Sequence, residues 1–447
     1  MKRATILCVL LLCGLLARPA QAQLLGGLLG STTQTESRVI VRDSLGVSAL
    51  QLTCWLIGCQ VQEEIDGNLG QVFLVTSYNS VSSLVSSLLT MPGIVDAEPD
   101  ALLYQPEPGP LTSVSGLWDR TTENFYGAAV WEGYANQPAL TQIELPEARW
   151  EWHATGAGIV ADIGTGVDPT QPVLQKVLLP GYNFLTNQTG GYDSQVNQYA
   201  MAVVNSAYPP LQVNQYAMAV VNQQSATTLS QSSYSDSGHD TMVAGIIHLV
   251  APTAQILPLR AFGDNGEGYL SDVLRAIYYA VDNHATVINM SFDFPAAATE
   301  LQKAVAYANA HGVACVASVG NNGEDVMVYP AGYQSDVMGI ASVDAADQRS
   351  SFSNYGADLV FAAAPGEAVI TTYPGDTYAA GWGTSFSAPF VSGTVALMDA
   401  MQPGVTPTEA MDALSHATPA APDLGHGVLN VAAALTALHQ EIAYGGN

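Results

Sequence analysis

Apolar and polar positions along the chain follow two successive patterns. Arg38 to Val41 and Gln71 to Val75 are short apolar runs that predict strands. Val81, Leu84, Val85, Leu88 and Leu89 then recur at i, i+3, i+4, i+7 and i+8, marking one face of a helix that ends near Met91-Pro92-Gly93. Ile94 to Tyr104 returns as a strand, so residues 37–104 predict a small α+β unit. The segment Gln105-Pro106-Glu107-Pro108-Gly109-Pro110 opens a linker over 105–140 that a protease would cut readily.

From Gly158 onward, near-continuous apolar runs alternate with helical patterns. Strands are expected at Ile159 to Ile163, Gln255 to Arg260, Val287 to Met290, Val313 to Val319 and Met338 to Val343, with helices between them at Ser271 to Asn283 and Ala298 to His311. Strands buried on both faces and separated by helices predict an α/β, doubly wound parallel sheet. Residues 182–237 break the pattern. They are rich in Gln, Asn, Ser and Tyr, and an eleven-residue segment, Gln195 to Asn205, recurs identically at Gln212 to Asn222. Two copies are too few for a solenoid, so the expectation is a duplication within a flexible surface insertion.

Composition adds a destination. Lys2 and Arg3 precede an apolar run from Ala4 to Ala17, and Ala20-Gln21-Ala22 supplies a small-residue cleavage pattern, so residues 1–22 read as a signal peptide. The expected product is secreted. The chain holds 12 basic against 39 acidic residues and carries a formal charge of −27, which disfavours nucleic acid and anionic membranes as partners. No D-x-[DN]-x-[DN]-G loop is present, so no metal site is assigned and calcium is not assignable; no cofactor is expected. Cys54 and Cys59 could pair across a short loop, whereas Cys315 lies in an apolar run and reads as a buried small hydrophobe.

Chemistry is concentrated in a few loops. Gly383-Thr384-Ser385-Phe386-Ser387-Ala388-Pro389 runs into an apolar helical pattern, which puts a serine at a helix N-terminus, where unpaired N–H groups and the dipole favour developing negative charge. Gly238-His239-Asp240-Thr241 places a histidine at another helix start, and Ser318-Val319-Gly320-Asn321 ends a strand with an amide side chain. Loops at the carboxyl ends of parallel strands share one crevice. There Ser385 could attack a carbonyl, His239 could take and return its proton, and Asn321 with a backbone N–H could hold the oxyanion.

These motifs resemble the subtilisin-like serine peptidases. The serine turn is similar to G-T-S-M-A-x-P, and His239 matches the histidine of H-G-T-H-V-A-G, with Asp240 and Met242 replacing the glycine and the second histidine. Asn321 matches the oxyanion asparagine, and Ser291-Phe292-Asp293 the segment that pairs with substrate backbone. Tyr329-Pro330-Ala331, Ser351-Phe352-Ser353 and Gly425-His426-Gly427-Val428-Leu429-Asn430 follow in the family's order, and the resemblance covers about residues 141–436. It implies a peptidase domain acting on peptide or protein substrates. The N-terminal unit resembles the family's inhibitory propeptide, a ferredoxin-like domain whose last strand ends in a pattern like Asp96-Ala97-Glu98-Pro99-Asp100, which would make the chain's own propeptide a partner and the chain a zymogen.

One departure matters. The family reads D-T-G-x-D at the end of its first strand, but Gly164-Thr165-Gly166-Val167-Asp168 stands here, so Gly164 takes the place of the triad acid. Asp162 lies about 6.7 Å back along the strand and would serve as surrogate only through a register slip. Asp240 adjoins His239, but neighbours at i and i+1 on a helix do not face each other. In subtilisin itself, losing only the aspartate costs about 3 × 10⁴ in kcat, roughly 6 kcal/mol. The expectation is therefore an impaired endopeptidase, or else an inactive pseudopeptidase that binds peptides in a retained cleft. A dinucleotide loop at Gly164-Thr165-Gly166 is rejected, because Pro169 stands where the third glycine belongs.

Overall fold

A computed structural model describes residues 36–104, 117, 119–192, 218–219, 238–264 and 266–444. The signal-peptide segment and most of the duplicated insertion lie outside the described residues.

The N-terminal unit runs β1 (Ser37–Asp43), α1 (Val47–Ile57), β2 (Gln60–Glu64), β3 (Val72–Ser77), α2 (Val81–Leu88) and β4 (Ile94–Pro99). Its sheet has the order β2-β3-β1-β4 with antiparallel pairing throughout, the ferredoxin-like arrangement of a βαββαβ chain. Val39, Val41, Phe73 and Val75 from the sheet pack on Leu50 of α1 and on Leu84 and Leu88 of α2. Ser80 caps α2 by accepting from the Ser83 N–H, and Cys54 and Cys59 form a disulfide. The strand expected over Ile94 to Tyr104 breaks at Asp100-Ala101, because its last part, β5 (Leu102–Tyr104), leaves this sheet and pairs with a strand of the following domain.

A hairpin of β6 (Thr122–Phe125) and β7 (Ala128–Trp131) and three short helices, α3 (Glu132–Ala135), α4 (Pro138–Gln142) and α5 (Leu145–Trp152), lead into the second domain. Its strands and helices alternate: β8 (Ile159–Gly164), β9 (Tyr182–Asn183), β10 (Gln188–Thr189), β11 (Met218–Ala219), α6 (His239–Val250), β12 (Gln255–Arg260), β13 (Glu267–Tyr269), α7 (Leu270–Asp282), β14 (Val287–Met290), α8 (Thr299–Ala310), β15 (Ala314–Ser318), β16 (Met338–Val343), β17 (Ala362–Pro365), β18 (Val369–Tyr373), β19 (Thr377–Gly381), α9 (Thr384–Met401), α10 (Pro407–Leu414) and α11 (Val431–Tyr444). The central sheet has the order β10-β9-β12-β8-β14-β15-β16-β17, parallel from β12 to β17. One apolar layer joins α6, α9 and α11 to one face, and another joins α7 and α8 to the opposite face. This is the doubly wound α/β class that the strand pattern predicts. Cys315 is fully buried in the second layer, and burial pushes its thiol pKa well up.

The sheet reverses winding at β8. The chain passes from β8 out to β12 through α6 and then back across β8 to β14 through α7, on the opposite face, so a crevice opens beyond the carboxyl ends of β8 and β14. The N-terminal unit docks across this half of the domain. β5 pairs antiparallel with β13, Asp100 accepts from the Ser271 N–H at the start of α7, and Glu98 accepts from the Thr299 and Glu300 N–H groups at the start of α8. Two helix N-termini thus receive carboxylates from the other domain, where the dipole favours them. Arg42 clamps the buried Glu300 carboxylate with bonds of 2.6 and 3.0 Å, and Arg38 pairs with Asp100 at 2.8 Å.

Candidate active site

α9 is apolar nearly all round and buried from Thr384 to Asp399, so its N-terminus is held inside the domain. Gly383 precedes it at φ 146°, a conformation that favours glycine, and a Cβ there would lie 3.2 Å from Asn321 Nδ2. Ser385 follows at the second helical position, 2% exposed, with Oγ donating to the Ser291 carbonyl at 3.3 Å. Pro389 cannot donate to the Ser385 carbonyl four residues back, and the Ser291 hydroxyl donates to it instead at 2.9 Å. Proline inside the helix therefore ties the serine turn to the end of β14.

Asn321 follows β15. Its Oδ1 accepts from both the N–H and the hydroxyl of Thr384, each at 2.9 Å, which fixes the amide and leaves Nδ2 to donate elsewhere. Ser385's own N–H belongs to the first turn of α9, whose donors have no intrahelical acceptor. A carbonyl oxygen carried to this point would find one side-chain and one backbone donor.

His239 opens α6 after Gly238, which adopts φ 99°. Its ring lies 5.5 Å from that of Phe386, the residue beside Ser385. Nδ1 stands 2.9 Å from Asp240 Oδ1, and the Gly166 N–H donates to Asp240 Oδ2 at 2.9 Å. The expectation that adjacent helical residues cannot meet is corrected here. That rule describes neighbours along a helix interior, whereas His239 is the first helical residue and its Nδ1 is the ring nitrogen nearer the main chain, within reach of a short carboxylate. Gly164, the residue at the triad-acid position, ends β8 directly opposite: a Cβ on it would fall 2.2 Å from Asp240 Oδ2 and 2.3 Å from Oδ1.

Asp162, the candidate surrogate, is engaged in another direction. Paired in register with Asn289 of β14, it accepts from Asn289 Nδ2 at 3.0 Å, and the same amide donates to Ser291 Oγ at 2.9 Å. Ser392 of α9 donates to Asn289 Oδ1, completing a buried polar chain from β8 to the serine helix. Burial, reinforced by the nearby Asp240, pushes the Asp162 carboxyl well above the usual carboxylate range. Ser291 and Phe292 are buried, while Asp293 keeps Oδ2 enclosed without a hydrogen-bond partner among the described residues. Burial pushes Asp293 up to about 7.

The subtilase family pattern matches residues 156–441, most of the second domain and more than half of the chain. The chain belongs to the subtilase family. It is 32% identical over 327 residues to a thermophilic serine proteinase from Bacillus sp. (strain AK1), covering 73% of this chain and 68% of that one. Subtilisin DY from Bacillus licheniformis is 35% identical over 227 residues, which span 47% of this chain and 82% of the relative. Among solved structures, fervidolysin from Fervidobacterium pennivorans superposes with a TM-score of 0.68 at 22% identity, over 90% of this chain and 61% of that one, which supports the fold. In this subtilase the structure sets Asn321 against Thr384 and His239 against Phe386, the two neighbours of Ser385, keeps Asp162 out of hydrogen-bonding contact with the imidazole among the described residues, and brings to the imidazole Asp240, the carboxylate that the i, i+1 rule had set aside. Its signal was present as a carboxylate beside the histidine; only the position of β8 gives it meaning.

Proposed function

We propose that this subtilase is a secreted serine endopeptidase synthesised as a proprotein. The observation that carries the reading is the serine turn itself: Ser385 at the start of a buried helix, with the Asn321 amide pinned by its neighbour Thr384 and the His239 imidazole held beside it. Ser385 Oγ attacks the scissile carbonyl while His239 Nε2 takes the hydroxyl proton. The oxygen, now negative, rests on Asn321 Nδ2 and the Ser385 N–H. His239 then passes the proton to the leaving amine, and a water, deprotonated by the same imidazole, releases the acyl group and regenerates the serine. Ser291, Phe292 and Asp293 border the cleft and supply the backbone that an extended substrate would pair with.

The N-terminal unit is proposed to be the chain's own inhibitory propeptide. Support comes from β5, which occupies the edge of β13, and from the carboxylate caps that Glu98 and Asp100 place on α8 and α7. The cut falls between about Tyr104 and Thr141, in and after the proline-bearing linker. Intact-mass measurement on the purified full chain and on Ser385→Ala tests both parts. Conversion of the first and none of the second is expected. Conversion of both would assign the cut to another protease, and conversion of neither would favour a non-catalytic peptide binder.

A further inference from the structure

The Asp240 carboxylate fills the volume that a side chain on Gly164 would need. Two of its atoms lie within 2.3 Å of the place a Cβ would take, and its Cγ lies at 2.5 Å. From α6 it reaches the imidazole on one side and the β8 loop on the other, with Oδ1 2.9 Å from His239 Nδ1 and Oδ2 held by the Gly166 N–H. We infer that Asp240 is the positioning acid of this site, a carboxylate delivered from the histidine's own helix to the space that a β8 aspartate would occupy. The inference rests on the reading of Ser385 and His239 as nucleophile and base.

Three observations favour a functional role over a turn-stabilising one. Asp240 is 1% exposed and His239 7%, so water does not compete for the contact and the pair keeps its geometry. With Nδ1–H donating to a fixed carboxylate, the neutral imidazole is confined to the tautomer whose Nε2 is a free base, which is what proton removal from a serine requires. The rival carboxyl, Asp162, has one oxygen committed to Asn289 of the neighbouring strand, away from the imidazole, and burial pushes its pKa up. The inference thereby replaces the missing acid at Gly164 with a base–acid pair of sequence neighbours, His239 and Asp240.

The test uses the full chain and its variants, with fluorophosphonate labelling of Ser385 as one readout and the low-field proton resonance of a carboxylate-bound His Nδ1–H as the other. Asp240→Asn preserves size and should slow labelling by about 10³- to 10⁴-fold, comparable with the loss of the acid in other serine peptidases. It should also erase the low-field proton. Asp162→Asn should change labelling by less than about tenfold, since that residue does not hold the imidazole. Gly164→Asp alone should label no faster than the parent, because the new side chain collides with Asp240. Gly164→Asp combined with Asp240→Gly moves the carboxylate to the other element and should recover at least about a hundredfold over Asp240→Asn. Fast labelling in a folded Asp240→Asn protein overturns the inference. So does absence of the low-field proton from the parent. A parent that shows the proton, loses it on Asp240→Asn and yet never labels would uphold the His239–Asp240 pair while refuting the peptidase reading.

Discussion

Asp293 offers a stability prediction whose sign and size follow from its surroundings. Its Oδ2 is enclosed without a hydrogen-bond partner among the described residues, next to the Gly320 backbone, and burial pushes the carboxyl up to about 7. An unfolded aspartate titrates near 3.9. Between those two values the folded state holds the proton and the unfolded state has lost it, so stability falls as pH rises from about 4 to about 7 and levels off above. The full linkage term is about 4 kcal/mol, and relaxation or water entry around a cleft-side group brings the expected loss nearer 2–4 kcal/mol. Asp293→Asn removes the charge and keeps the shape, so the variant should match the parent near pH 4 and exceed it by that amount at pH 8. At about 2.1 cal/mol/K per residue, a domain of roughly 290 residues unfolds with an entropy near 0.6 kcal/mol/K, which converts the gain into about 3–7 °C. The assay is the difference in Tm between Asp293→Asn and its parent across pH 4–8, both carrying Ser385→Ala so that neither digests itself. Taking a difference cancels Asp272, which burial also pushes up to about 7 and which titrates in both proteins. A Tm difference that stays flat with pH, or that favours the variant at acid pH, would refute the assignment of an ionisation penalty to Asp293.

Two further outcomes test the docking and the serine turn. Arg42→Met strips the clamp from Glu300, whose side chain is 2% exposed, and leaves it, among the described residues, only the half-exposed Lys303; docking of the N-terminal unit should weaken by about 2 kcal/mol, roughly 30-fold. In the Ser385→Ala full chain this reads as faster amide exchange at Thr299 and Glu300, and unchanged protection there would rule out the clamp as a determinant of docking. Ser291→Ala orphans the buried Ser385 carbonyl that Pro389 cannot serve, costing about 1–3 kcal/mol; a urea midpoint equal to the parent's would show that the carbonyl finds another donor.

Legibility in the sequence tracked burial. Strands buried on both faces, such as Gln255–Arg260, Val287–Met290 and Met338–Val343, are apolar runs whose limits coincide with those observed. α1 escaped notice because Leu52, Trp55 and Leu56 lie exposed and blur its apolar face, and β2 because Gln60-Val61-Gln62-Glu63-Glu64 has almost no apolar residue to alternate. The serine, histidine and asparagine motifs stood out because each lies next to the start or end of a regular element, the heads of α9 and α6 and the loop after β15. Asp240 was noticed and set aside, because its significance is a distance to Gly164, set by the packing of α6 on β8 and invisible to spacing along the chain.

That shared volume also constrains how such a site can change. An acid at both 164 and 240 would put a Cβ among carboxylate oxygens, and an acid at neither would leave the imidazole facing no carboxylate. The two positions therefore behave as one locus with two mutually exclusive settings, reached from one another only through a pair of substitutions whose every single step is the poorer state. A chain with Asp240 in place is thus held to glycine at 164 by the same contact.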